Sequence, residues 1–165
     1  MGYLTRDGVK LHYEEAGAGE PAIVLIHGWC CDRTYFAPQA AHFAPTRRCI
    51  SVDLRGHGQS DKPEQEYSIA GFADDVAWLC AQLGVERPVV AGHSMGGLVA
   101  LAMDLLPRAE ARDILVEGPA AVHERRVARG LREDGGIDDE AFHLVELPDH
   151  LAEFFEDRHA RSVSS

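Results

Sequence analysis

Ser94 lies in Gly92-His93-Ser94-Met95-Gly96, with the apolar run Val89 to Ala91 before it and Leu98 to Leu101 after it. A hydroxyl between two glycines at such a junction suits nucleophilic attack on a carbonyl carbon. The reason is mechanical. A strand that turns tightly into a helix leaves the serine oxygen exposed above the sheet edge, and a side chain at either flank collides with the neighbouring strand or helix. The helix that starts after Ser94 aims its unsatisfied N–H groups at the place where an oxyanion develops. The Met95 amide is the expected first donor. Ile26-His27-Gly28-Trp29 follows another apolar run and supplies the second, the Trp29 amide. His27 is read as shaping that loop rather than transferring protons. The pentapeptide alone is a weak signal, and the strand before and helix after give it weight.

The elements that position these residues are legible as alternating strands and helices. Arg6-Asp7-Gly8, between Tyr3–Thr5 and Val9–Tyr13, is a hairpin signal. Ala22–Ile26 and Cys49–Leu54 read as strands buried on both faces, Val89–Ala91 as a third and Ile114–Val116 as a fourth. Thr34–Phe43 reads as a short helix. Ser68 caps a longer one, with Phe72, Val76, Leu79 and Leu83 on its inner face and Gly84 as its stop. Leu98–Leu106 is expected to continue the helix after Ser94. The alternation predicts an α/β fold: a mostly parallel sheet with helices on both faces. After Gly118 the pattern degrades. Ala120–Arg132 reads as an arginine-rich helix, Glu133–Glu140 as an acidic loop, Leu151–His159 as an amphipathic helix and Arg161–Ser165 as a frayed tail. Arg125, Arg126, Arg129 and Arg132 read as a solvated helix face.

Composition narrows the function classes. The 165 residues suffice for one domain, and the 45% hydrophobic content supports a packed core. The formal charge of −11 argues against nucleic acid or an anionic membrane as partner, since both reward basic surfaces. The four cysteines, Cys30, Cys31, Cys49 and Cys80, fit no metal or redox spacing. They read as reduced, mostly buried thiols of a cytoplasmic protein. No signal-peptide core or membrane-spanning run stands out. No metal or organic cofactor is implied.

Three segments together resemble the α/β-hydrolase family: His27-Gly28-Trp29, "DLRGHGQSD" at Asp53–Asp61 and "GHSMGG" at Gly92–Gly97. The resemblance runs from about Tyr3 to Gly118. Residues 1–118 form the matched core, 119–140 a shortened cap or linker, and 141–165 a C-terminal remnant, all within one reduced domain with little or no cap. It gives Asp53 and His57 a loop-shaping role rather than that of an acid–base pair. Serine at the elbow resembles esterases, lactonases and C–C hydrolases, whereas the dehalogenases and epoxide hydrolases of the family carry aspartate there.

The resemblance also implies that an acid and then a histidine follow the serine. Ala141–Asp149 is similar to the family's "GHFxxLExPD" segment, but the alignment that matches Phe142, Glu146 and Pro148 puts Ala141 where the catalytic histidine belongs. His143 is the nearest substitute. His123 or His150 is an alternative, and so is the absence of a base. Glu117, at the end of the fourth strand, is the candidate acid, with Asp138 and Asp139 as alternatives. The expected activity is a serine hydrolase cleaving a small ester, thioester or lactone through a Ser94 acyl-enzyme, with an open site and loose selection by size. The other readings are an inactive domain that binds a partner, and a cofactor-free oxygenase or perhydrolase. A sheet lacking its last strands exposes an edge, and homodimerisation through it is one way to cover it.

Overall fold

Asp7 and Gly8 both take positive φ (50° and 79°), the two-residue turn that matches strand twist. They join β1 (Gly2–Arg6) to β2 (Val9–Ala16), with Arg6 opposite Val9. The computed structural model describes residues 1–103, and beyond them the backbone of Asp113–Glu117, Val127–Ala128 and Phe142–His143. β2 pairs antiparallel with β4 (Cys49–Val52), and β4, β3 (Ile23–Ile26), β5 (Val89–His93) and β6 (Asp113–Glu117) run parallel. The six-stranded order is β1-β2-β4-β3-β5-β6, which leaves β1 and β6 at its two ends.

All four residues of β3 and all four of β4 are buried, because helices cover both faces of the sheet. The two-residue period then divides each strand between two cores. Ile23 and Leu25 pack with Phe36, Phe43, Cys49 and Ala91 on the side of α1 (Ala37–Phe43). Val24 and Ile26 pack with Ile50, Val52, Phe72, Val76 and Val99 on the side of α2 (Ile69–Gln82) and α3 (Met95–Met103). This is the two-sided α/β sheet that the sequence predicts.

Local signals set most boundaries. Ser68 Oγ accepts from the Gly71 amide at 3.1 Å and caps α2. At the other end Gly84 (φ +64°) donates to the Ala81 carbonyl, and Val85 donates to that of Cys80 at 2.9 Å. That pair of bonds is a Schellman ending. The helix expected over Thr34–Phe43 divides instead. Asp32 accepts from the Thr34 amide to start a 3-10 turn at Arg33–Phe36, and Pro38, which has no N–H, lies in the first turn of α1.

Two other expectations need correction. Val127–Ala128 is a strand, β7, within the segment read as an arginine-rich helix. It pairs antiparallel with β8 (Phe142–His143) in a separate two-stranded sheet. Arginines at helical spacing supply no apolar face to hold a helix, so backbone pairing decides. The cysteines are not mostly buried: Cys49 and Cys80 are, but Cys30 is exposed and Cys31 partly so. Burial pushes the Cys49 thiol up to about 11 and that of Cys80 to about 12, which keeps both protonated and inert. Among the described residues no helix is long and apolar enough to cross a membrane. The rest of 120–132, the 133–140 loop, the 151–159 helix, the 161–165 tail and the end of the Leu98–Leu106 helix lie outside the described residues.

Ser68→Ala removes the side-chain acceptor of the α2 cap and is expected to cost ~1 kcal/mol in urea denaturation. Ser68→Asp, which restores an acceptor, should return most of it.

Candidate active site

Ser94 occupies the single step between β5 and α3, at φ +52°, a left-handed conformation that residues with a Cβ rarely take. Two glycines enforce it. A Cβ on Gly92 would stand 2.1 Å from the Gly96 carbonyl oxygen, so β5 and the first turn of α3 touch through bare backbone. A Cβ on Gly96 would stand 2.1 Å from the Ile26 carbonyl oxygen and 2.6 Å from that of His27, so α3 rests directly on the end of β3. These are the collisions expected at the two flanks, with their partners now identified. Ser94 is exposed. Its carbonyl accepts from the Gly97 amide at 2.9 Å, and the Met95 and Gly96 amides come before that first intrahelical bond. N–H groups in this position have no partner within their own helix.

The loop after β3 closes on the elbow through a third glycine. A Cβ on Gly28 would lie 2.8 Å from His93 Nδ1, 3.1 Å from the His93 carbonyl and 3.3 Å from Ser94 Cβ. Gly28 therefore abuts the elbow, and the next amide in the chain is that of Trp29. Neighbouring His27 is fully buried. Its Nδ1 donates to the Gly28 carbonyl at 2.8 Å, and its Nε2 accepts from the Leu54 amide at 3.1 Å. Both nitrogens are engaged in the neutral form, and burial lowers the His27 pKa below its ordinary 6.5. The ring ties the Trp29 loop to the end of β4 and has no free nitrogen for proton transfer, as the sequence reading expects.

Asp53 and His57 are not an acid–base pair. Asp53 is fully buried and accepts from His12 Nδ1 at 2.9 Å, the Arg33 amide at 2.7 Å and the Gln59 amide at 3.0 Å. Gly58 passes so close that a Cβ there would sit 2.3 Å from the Asp53 carboxyl carbon. His57 donates from Nδ1 to the Arg55 carbonyl at 3.1 Å and meets the Trp29 ring edge-on at 5.3 Å. Both residues shape loops, as the resemblance implies. Sequence reasoning missed three participants. Gly28 carries a signal, since it directly follows a loop histidine in a motif already quoted. Tyr35, whose ring stacks on His93 at 4.3 Å, carries none, because the 3-10 turn at Arg33–Phe36 and β5 at Val89–His93 lie far apart in the chain. The third is His93 itself, with its Nδ1 buried and without a hydrogen-bond partner among the described residues.

Glu117 is the last residue of β6 and pairs in register with His93, which puts its backbone at the same sheet edge as Ser94. His143 lies on β8 opposite Val127, outside the six-stranded sheet. Its side chain and that of Glu117 lie outside the described residues, as do His123, His150, Asp138, Asp139, Ala141 and the arginines of 125–132. The backbone thus brings together Ser94, Met95, Gly92, Gly96, the Trp29 loop and the Glu117 position. A separate cleft beside α2 is lined by Arg6, Arg55, Tyr67, Asp74 and Asp75. It holds none of the candidate residues, and Asp75 is clamped there by Arg55 at 2.7 Å. Among the described residues no group of three or more His, Cys, Asp or Glu side chains is placed to hold a metal ion.

A family model described as alpha/beta hydrolase fold matches residues 21–107. The chain is 40% identical to the AB hydrolase superfamily protein YisY of Bacillus subtilis over 112 residues, which are 67% of this chain and 40% of that protein. It is 37% identical over 100 residues to the bifunctional esterase/perhydrolase DCH of Acinetobacter calcoaceticus, covering 59% of this chain and 36% of the relative. Among solved structures it is similar to the enol-lactonase from Burkholderia xenovorans LB400, with a TM-score of 0.64 and 32% identity, over 68% of this chain and 45% of that one. The chain thus spans less than half the length of each of these proteins.

Elbow geometry predicts opposite signs at neighbouring positions. Gly96→Ala should cost about 3 kcal/mol or more by overpacking against the Ile26 carbonyl, whereas Ser94→Gly should gain up to about 1 kcal/mol by releasing the left-handed strain. Chemical denaturation of both variants measures each. The sign for His27 follows from linkage. Its folded pKa lies below 6.5, so the unfolded chain takes up the proton first as pH falls. Its contribution to stability is therefore intact above pH 6.5 and lost below it, by at most ~1.4 kcal/mol per pH unit. Denaturation midpoints from pH 8 to 5 should show this loss, and His27→Gln should flatten it.

Proposed function

The chain belongs to the alpha/beta hydrolase fold family, and from that premise we propose a serine hydrolase that cleaves small carboxylic esters, thioesters or lactones. The observation that carries the reading is the conformation of Ser94, exposed and held at φ +52° by glycine contacts that leave no room for a side chain. Strain of this kind persists where the surrounding structure over-determines it, and it concentrates at reacting groups.

In this mechanism Ser94 Oγ attacks the carbonyl carbon and gives its proton to a base. The carbonyl oxygen becomes an oxyanion that accepts from the Met95 and Trp29 amides, donors fixed in place before the reaction. The base then protonates the leaving alcohol, thiol or ring oxygen as its bond to the acyl carbon breaks. Water, deprotonated by the same base, attacks the acyl-enzyme and releases acid and free serine. His143 is the proposed base and Glu117 the acid that orients it. Glu117 is supported by its register beside His93. His143 is supported by its place in the segment that resembles the family's histidine loop. Water entering an exposed site suits hydrolysis, and hydrogen peroxide attacking the same acyl-enzyme would give a peracid. The likeness to an esterase/perhydrolase is in keeping with that variant.

A second reading has one specific observation behind it: alanine stands at 141, where the resemblance expects histidine. In that reading the elbow persists as architecture without a competent base. A fluorophosphonate ester followed by intact mass separates the two. The hydrolase reading expects one adduct per chain, absent in Ser94→Ala. His143→Ala should slow labelling by about a hundredfold or more, the usual contribution of a general base, while His123→Ala and His150→Ala should not. No adduct on a folded sample would sink the hydrolase reading.

A further inference from the structure

Two large apolar side chains close to Ser94 in the fold are not absorbed by the core: Leu98, four residues on along α3, and Trp29, next to the Gly28 that abuts Ser94. Leu98 is 55% exposed, and Trp29 60%. Leu98 stands one helical turn beyond Ser94, with its amide directed to the Ser94 carbonyl at 3.4 Å. Residues four apart share a helix face, and helical side chains lean toward the N-terminus, so Leu98 covers the surface just above the nucleophile. Its neighbours Val99 and Ala100 are fully buried, as are Gly96 and Gly97 on the preceding turn. The exposure is thus confined to the Ser94 side of the helix. Trp29 carries the proposed second oxyanion amide, and its exposed indole meets His57 edge-on.

Several charges of the loops that follow the parallel strands are already engaged. Arg33 is bound to Asp53 and Glu14, Asp32 caps Thr34, Arg55 clamps Asp75, and Lys62 donates to the Gly58 and Ser60 carbonyls. A neutral chain laid on exposed Leu98 and Trp29 would cover apolar area, whereas a charged one would lose solvation there.

We propose that Leu98 and Trp29 form a two-sided apolar platform that selects neutral, unbranched acyl chains of several carbons for the Ser94 site. The inference rests on Ser94 being the nucleophile, as argued above. The platform is a surface rather than an enclosed tunnel, so it rewards chain length without setting a sharp upper limit.

The test uses n-alkyl phosphonofluoridates carrying methyl, butyl or octyl groups on phosphorus. Ser94 Oγ forms the O–P bond, the P–F bond breaks, fluoride leaves, and the hydroxyl proton passes to the base or to solvent. The readout is the second-order labelling rate against chain length within each protein, so differences in basal reactivity cancel. The full chain should show a rise of about two- to fourfold per methylene. Leu98→Ser and Trp29→Ala should each flatten that slope, and Leu98→Met should keep it. Thermal unfolding near that of the parent verifies that each variant is folded. A flat slope in the parent, or a steep one that neither variant changes, overturns the platform while leaving the nucleophile intact. If even the methyl probe fails to label, the nucleophile reading falls and the platform with it.

Discussion

The candidate site depends on one steric contact, the backbone of Gly96 laid against the carbonyl oxygens that end β3. With 2.1 Å between a would-be Cβ and the Ile26 oxygen, nothing larger than hydrogen fits. That approach fixes where α3 begins. The start of α3, with Gly92 touching Gly96 from behind, leaves one residue to turn from strand to helix. Ser94 is that residue, and its left-handed φ follows from the distance to be covered. Stability is given up locally, and the rigid cores on both faces of the sheet offset it. The helix N-terminus then points its first amides at the space beside the hydroxyl, so one packing contact sets both the candidate nucleophile and the candidate oxyanion donor.

The second candidate donor is held from a different direction. His27 links the Gly28 carbonyl to the Leu54 amide, so the loop after β3 is tied to the loop after β4. Asp53 fastens that second loop through His12 on β2, Gln59 and the Arg33 amide. Arg33 opens the 3-10 turn that carries Tyr35, and Tyr35 stacks on His93 next to Ser94. The ring of contacts closes where it started. A fully buried carboxylate is costly unless its oxygens are satisfied. Here hydrogen bonds from three segments satisfy it, and the same bonds set the spacing of the loops. The motif residues Asp53, Gly58 and His57 therefore shape the loops at the Ser94 end of the sheet.

Much of this was legible beforehand, for specific reasons. The buried strands announced themselves as unbroken apolar runs, because a strand covered on both faces has no polar side to show. Ser68 and Gly84 marked the ends of α2 because caps are local chemistry. Gly92 and Gly96 were legible because a required absence of side chain can be met by one residue type. The division of the Thr34–Phe43 helix was not legible because its apolar residues fit either continuous or broken geometry, and a proline such as Pro38 is tolerated in the first turn of a helix. The strand at Val127–Ala128 was missed because its partner, Phe142–His143, lies well downstream and nothing local records the pairing.

The sequence by itself determined the α/β architecture, the strand-to-helix turn at Ser94, the identity of the nucleophile candidate and the loop-shaping roles of His27, Asp53 and His57. The architecture and the turn rest on periodicity, caps and glycine requirements, all written within a few residues of the position they govern, while the roles of Asp53 and His57 are what the family resemblance implies. The tertiary structure alone decided which atoms the glycines make room for, that Gly28 meets His93 and Ser94, that Tyr35 stacks on the elbow, and that Trp29 and Leu98 stay exposed. Those are contacts between segments far apart in the chain. Their distances emerge only when the sheet has brought β3, β4 and β5 side by side.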